Sequence, residues 1–146
     1  MKRIGKIVFL SIWVLASSLS LSANGLNGRN SIQDDFDWEP VMEAIIQVES
    51  HGDRNARRGN SVGVMQITPI LVAECNEILK SRKSKVRFKL SDRFSVEKSK
   101  AMFLLIQSYY NVKNDIEKAI RSWNGGPRYS VKHTQRYYER VLRALH

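Results

Sequence analysis

The chain has 146 residues, 42% of them hydrophobic and 26% charged, with a formal net charge of +10. That composition suits one globular domain and excludes both a disordered chain and two independent cores. The lone cysteine, Cys75, excludes a disulfide scaffold and a multi-cysteine metal site; the scattered His51, His133 and His146 exclude a paired-histidine zinc protease; no glycine loop that cradles phosphate is present.

Residues 1–23 follow the three-part pattern of an export signal: Lys2, Arg3 and Lys6, then the short apolar stretch Ile7 to Leu15, then small residues including Ala16, Ser20, Ser22 and Ala23. The apolar run is too short for a comfortable transmembrane helix. A cleaved signal is therefore expected, with an uncleaved anchor as the alternative. With one unpaired cysteine, the expected compartment is a bacterial periplasm or cell envelope. Residues 24–36, rich in Asn, Gly and Ser, read as a flexible arm, and residues 37–146 as one domain.

The domain is helical in pattern and shows no hairpin signal. Asp37 is a candidate cap for a helix with Pro40 in its first turn, apolar stripes at Val41, Ile45, Val48 and at Met42, Ile46, and a stop at Gly52. Asp53 to Val62 reads as a polar loop. Thr68-Pro69 opens a second helix through Ile70, Leu71, Ala73, Cys75 and Ile78 to Leu79. A basic connector, Lys80 to Lys89, follows. Ser95 caps a long helix expected to bury Val96, Met102, Phe103, Ile106 and Tyr110. Asp115 starts a shorter one ending at Trp123, before Gly125, Gly126 and Pro127. A last amphipathic helix carries Tyr137, Tyr138, Val141, Leu142 and Leu145. About five helices around one core are predicted, an all-α or nearly all-α fold.

Removing Lys2, Arg3 and Lys6 leaves 21 basic against 14 acidic residues, concentrated at Lys80, Arg82, Lys83, Lys85, Arg87 and Lys89. Such a patch attracts polyanions and reads equally as a nucleic-acid footprint or as a solvated loop. For an exported protein the available polyanions are anionic cell-wall polymers and membrane, so no nucleic-acid partner is expected.

Glu49 breaks its own pattern. It falls seven residues after Met42 and three after Ile46, which aims it along an apolar stripe, and it sits in a last helical turn whose dipole disfavours an anion. Burial and dipole both raise a carboxyl's proton affinity, which is what a general acid at a glycosidic bond requires. Periodicity alone is met at least as well by a glutamate with a covered stem and its head in water.

The local text adds more. Ile46-Gln47-Val48-Glu49-Ser50 is followed by Gly63-Val64-Met65-Gln66-Ile67-Thr68-Pro69, then by Ser122-Trp123-Asn124-Gly125-Gly126-Pro127, and finally by Tyr137-Tyr138-Glu139-Arg140-Val141-Leu142. In order and spacing this resembles the soluble-type (SLT) lytic transglycosylases of the lysozyme-like superfamily, from about Trp38 to Leu142. The resemblance implies a lysozyme-like fold and roles residue by residue. Glu49 would be the sole catalytic acid and base, and Ser50 would bond near Glu49 or the substrate. Gly63 would admit the sugar close to the backbone; Met65 and Gln66 would line the cleft floor; Asn124 would contact substrate; Tyr137 would set its hydroxyl beside Glu49. Core packing is an equal reading for Met65, a helix-ending cap for Asn124, and a core aromatic for Tyr137. Val64, Trp123 and Gly125 depart from the family's usual Leu, Tyr and Ala, and Trp123 either stacks on a sugar or fills the core.

The resemblance further implies cleavage of peptidoglycan glycan strands between N-acetylmuramic acid and N-acetylglucosamine, with closure of a 1,6-anhydro ring and no metal or cofactor. The alternatives are a hydrolytic muramidase on the same bond and a non-catalytic wall-binding or secretion-assembly protein. Secretion or conjugation machinery that must cross the wall is the class of protein partner considered.

Overall fold

A computed structural model describes residues 36–146. The export signal (1–23) and all of the arm but Phe36 lie outside the described residues. Helix α1 (Glu39–Ser50) begins two residues after Asp37, with Trp38 at the N-cap position and no side-chain cap bond from it. Asp37 nevertheless supplies the missing acceptor, its carboxylate taking the Glu39 N–H at 2.9 Å. Val41, Met42, Ala44, Ile45, Ile46 and Val48 are all buried, so both predicted stripes face inward and α1 is the central helix. The left-handed residue that ends it is His51 (φ 54°), one before the predicted Gly52, whose φ is also positive at 84°.

The segment predicted as a plain loop contains an antiparallel hairpin, β1 (Arg57–Arg58) with β2 (Ser61–Val62), pairing Arg57 with Val62 and Arg58 with Ser61. Two-residue strands present no alternation to read, and the only local signal is the turn pair Gly59-Asn60, with Gly59 at φ +59°. Val62 and Ile67 then bridge backbone to backbone at 3.2 and 2.9 Å and pinch Gly63–Gln66 into a tight turn.

Helix α2 (Pro69–Ser81) is capped as predicted, the Thr68 hydroxyl accepting from the Leu71 N–H at 3.2 Å. The basic connector is tied down: the Asn76 amide exchanges two hydrogen bonds with the Phe88 backbone, at 2.9 and 2.8 Å. After a 3-10 turn (Leu90–Phe94), α3 (Val96–Tyr110) starts at the Ser95 cap. Met102 and Phe103 are fully buried, with Ser99 and Gln107 beside them. Tyr110, predicted inside, is 40% exposed because its hydroxyl turns outward to Glu74.

Helix α4 (Ile116–Gly125), capped by Asp115, runs two residues past Trp123, and α5 (Val131–Leu145) starts at the Ser130 cap. The buried Arg121 joins these two helices, donating to Glu117, the Val131 carbonyl, Thr134 and Gln135. Helix α1 packs most extensively against α5, and α4 also packs on α5. The core between them runs through Trp38, Phe103 and Trp123, whose rings meet at 5.6 and 5.2 Å. Cys75 lies in the same core, its thiol pushed up to about 12 chiefly by desolvation, so it is inert as a nucleophile near neutral pH. Among the described residues, five α-helices and one short hairpin make the nearly all-α fold expected.

Candidate active site

The end of α1, the hairpin, the 63–66 turn and the end of α4 enclose a cavity of about 260 Å³ lined by Glu49, Arg58, Ser61, Gln66, Thr68, Leu71, Trp123 and Asn124. Glu49 is the only acid in that lining. Its side chain keeps only 12% of its surface exposed, so the arrangement with the head in open water does not occur. Tyr137 comes from α5, behind the cavity, and donates its hydroxyl to Glu49 Oε1 at 2.8 Å.

Desolvation pushes the Glu49 carboxyl above its ordinary range; the Tyr137 hydroxyl, Arg58 and Arg140 pull the other way, in that order, and burial prevails. The Arg58 guanidinium stands 4.0 Å from Oε2 but is 73% exposed, so its charge is largely screened. Arg140 is held by the Val48 carbonyl at 3.1 Å. The Tyr137 phenol is itself raised well above normal, first by burial and then by the Glu49 charge, so it remains a donor at any physiological pH.

Gln66, Trp123 and Asn124 share this cavity with Glu49, whereas three other residues singled out by sequence stand behind it. Ser50 does not reach the Glu49 carboxyl: its hydroxyl lies 2.8 Å from the Val64 carbonyl, a donor that ties the end of α1 to the turn. The close approach at Gly63 is to protein, since a Cβ there would lie 1.8 Å from the Arg93 carbonyl oxygen. Met65 is fully buried and fills the core; what it offers is its backbone carbonyl, which accepts the Trp123 indole N–H at 3.2 Å. That bond and the ring contact with Phe103 orient Trp123. Gln66, at φ 51°, donates to the carbonyls of Ala56 (3.3 Å) and Gly63 (3.0 Å), while its Oε1 is buried without a partner.

Sequence reasoning missed Arg58, Ser61, Leu71 and Arg140, and saw Thr68 only as a cap. Arg58 sits in a run of basic residues with nothing to single it out, and Ser61 and Leu71 carry no motif.

Tyr137→Phe tests the pairing with Glu49. Removing a donor to the carboxylate raises the Glu49 proton affinity further, so the basic limb of the activity–pH profile should move to higher pH. A hydrogen bond to a charged group contributes about 1.5–3 kcal/mol, so kcat should fall roughly 10- to 100-fold. An unshifted limb would show that the hydroxyl does not govern the acid.

The end of α1 thus presents a sheltered carboxyl, oriented by a phenol, to the wall of a cavity in a helical domain. The family model described as "Transglycosylase SLT domain" matches residues 29–144, most of the chain. The chain belongs to the SLT transglycosylase family, and the match begins within the segment read as an arm. No curated protein and no solved structure matched it.

Proposed function

We propose that this protein is a peptidoglycan lytic transglycosylase, cleaving the β-1,4 bond between N-acetylmuramic acid and N-acetylglucosamine with Glu49 as its single acid and base. The observation that carries the reading is the Glu49–Tyr137 pair: a carboxyl of raised proton affinity, held by a 2.8 Å bond at the wall of an open cavity.

The steps follow from that pair. Protonated Glu49 gives its proton to the bridging oxygen, and the N-acetyl group of the muramic acid assists departure of the leaving sugar. The resulting carboxylate, stabilised by the Tyr137 hydroxyl, then takes the proton of the same sugar's C6 hydroxyl as that oxygen closes the anhydro ring. An attacking hydroxyl already within the substrate replaces a bimolecular encounter, an advantage of about 7–11 kcal/mol in good geometry. Paired-carboxylate glycosidases need a second acid within roughly 5–9.5 Å, and Glu49 is alone in its cavity lining.

Mass spectrometry of sacculi digested by the purified protein tests this. Products one water lighter than reducing-end muropeptides are expected; reducing-end products would make it a hydrolytic muramidase. On the sequence pattern of residues 1–23 we place the enzyme in the cell envelope, where Lys80 to Lys89 would meet anionic wall polymer or membrane. Secretion or conjugation machinery is the partner class that such a setting suggests.

A further inference from the structure

A second cavity, of about 510 Å³, adjoins the first and shares Thr68, Leu71, Trp123 and Asn124 with it. Its walls are largely apolar, with Ile70, Leu71, Ile106 and Pro127 among them. Among the described residues the lining holds one acid, Glu74 of α2, and one base, Lys118 of α4. Glu74 accepts the Tyr110 hydroxyl through Oε1. Its Oε2 takes no hydrogen bond from the described residues and is open to solvent. Lys118 does not neutralise it: the Lys118 ammonium donates to the Tyr110 backbone carbonyl at 2.7 Å. Tyr110 thus has Lys118 at its main-chain end and Glu74 at its hydroxyl end, with the length of the side chain between the two charges. No ion pair to Glu74 forms among the described residues.

A carboxylate with one free oxygen beside aliphatic surface suits a ligand that brings a cation at the end of a methylene chain. The methylenes cover Ile70, Leu71 and Ile106, and the cation completes the hydrogen bonding of the carboxylate. We infer that this cavity is a subsite for an alkylammonium group of the substrate, with Glu74 as its counter-ion. In a wall strand an ammonium occurs on the side chain of the stem's diamino acid and on a glucosamine ring that has lost its acetyl group. The apolar wall favours the first, whose ammonium ends a run of methylenes, over a ring edged with hydroxyls. The inference rests on the glycan-cleaving reading for the nature of the ligand.

The test uses the full chain carrying Glu49→Gln, so that ligand is bound and not cut. One probe is a disaccharide muropeptide from sacculi whose stem ends in diaminopimelate, with its side-chain amine free or acetylated. The other is the glucosamine tetramer, set against its N-acetylated form. The free muropeptide should bind roughly 3- to 10-fold more tightly than the acetylated one, and added salt should narrow the difference. Glu74→Gln keeps an acceptor for the Tyr110 hydroxyl and should abolish the preference. The comparison of free with acetylated probe needs no substitution at Glu74, so it stands should that variant fail to fold. Equal affinity for all free and acetylated forms overturns the proposal, as does a preference that survives Glu74→Gln. A Glu74-dependent preference confined to the glucosamine tetramer keeps the subsite and assigns the ammonium to the sugar. Sacculus cleavage by the wild-type chain is scored separately. Absent cleavage with a Glu74-dependent preference removes the reaction and keeps the subsite, while intact cleavage with no preference removes the subsite alone.

Discussion

Glu49→Gln should lower the rate of sacculus digestion by about 10²–10⁴-fold while leaving sacculus binding in place, the range that a positioned general acid and base supplies. The same substitution should stabilise the fold at neutral pH. The carboxyl's proton affinity is higher folded than unfolded, because burial outweighs Tyr137, Arg58 and Arg140. The stability linked to that group is therefore fully present below its ordinary value of 4.5 and is lost as pH rises through the higher folded value. Glutamine keeps an oxygen for the Tyr137 hydroxyl and has no proton to lose. Its melting midpoint should accordingly exceed that of the wild type at pH 7 and match it at pH 4. Loss of activity with no pH-dependent gain in stability would mean that the carboxyl is not sheltered as described; unchanged lysis would remove Glu49 from the reaction.

The second large effect is expected at Gly63→Ala. The added methyl would meet the Arg93 carbonyl oxygen at 1.8 Å, with the backbone already at φ +78°. Arg93 cannot yield easily. Its guanidinium donates to the carbonyls of Asn60 and Ile67 at 3.1 and 3.2 Å, and its own carbonyl accepts the Ser99 hydroxyl at 3.2 Å. Relieving the clash means parting the hairpin and turn from the 3-10 turn that leads into α3, with a loss of about 4 kcal/mol or more. Gly59→Ala is the control: its φ is also positive (+59°), but nothing lies within 4 Å of the added methyl, so only the left-handed strain of about 1–2 kcal/mol is expected. Thermal denaturation of the two variants separates steric exclusion from backbone strain. Similar midpoints would contradict the packing of Gly63 on Arg93. Because Ser61 and Gln66 flank this point and line the cavity, activity should fall with stability at Gly63 and survive at Gly59.

The site is coupled to the fold through carbonyl groups more than through side chains. The Val64 carbonyl takes the Ser50 hydroxyl, the Met65 carbonyl takes the Trp123 indole, and the Gly63 and Ala56 carbonyls take the Gln66 amide. The four-residue turn after the hairpin is therefore a hub that sets the end of α1, the end of α4 and the cavity floor relative to one another. A Gly-Val-Met-Gln text is recognisable in sequence because this backbone needs Gly63 and Gln66 at positive φ and a core side chain at Met65. The sugar contacts implied for Gly63 and Met65 belong, in this geometry, to the support of the site.

What the sequence by itself determined is what nearby residues decide. The caps at Thr68, Ser95 and Asp115 lie within three residues of the amides they satisfy, and the stripes of α1 repeat within two turns, so helix starts and buried faces follow from short windows. The order of four short motifs carried the family in the same way. Only the tertiary structure decided the state of Glu49. Its acidity depends on a phenol 88 positions away and on burial by elements brought together from both ends of the domain. It alone decided that Gly63 faces Arg93, that Tyr110 turns outward, and that Gln107 Nε2 is buried without a partner. Proton affinity, steric exclusion and hydrogen-bond satisfaction are set by whichever atoms fill the surrounding few ångströms, and a linear text does not state which atoms those are.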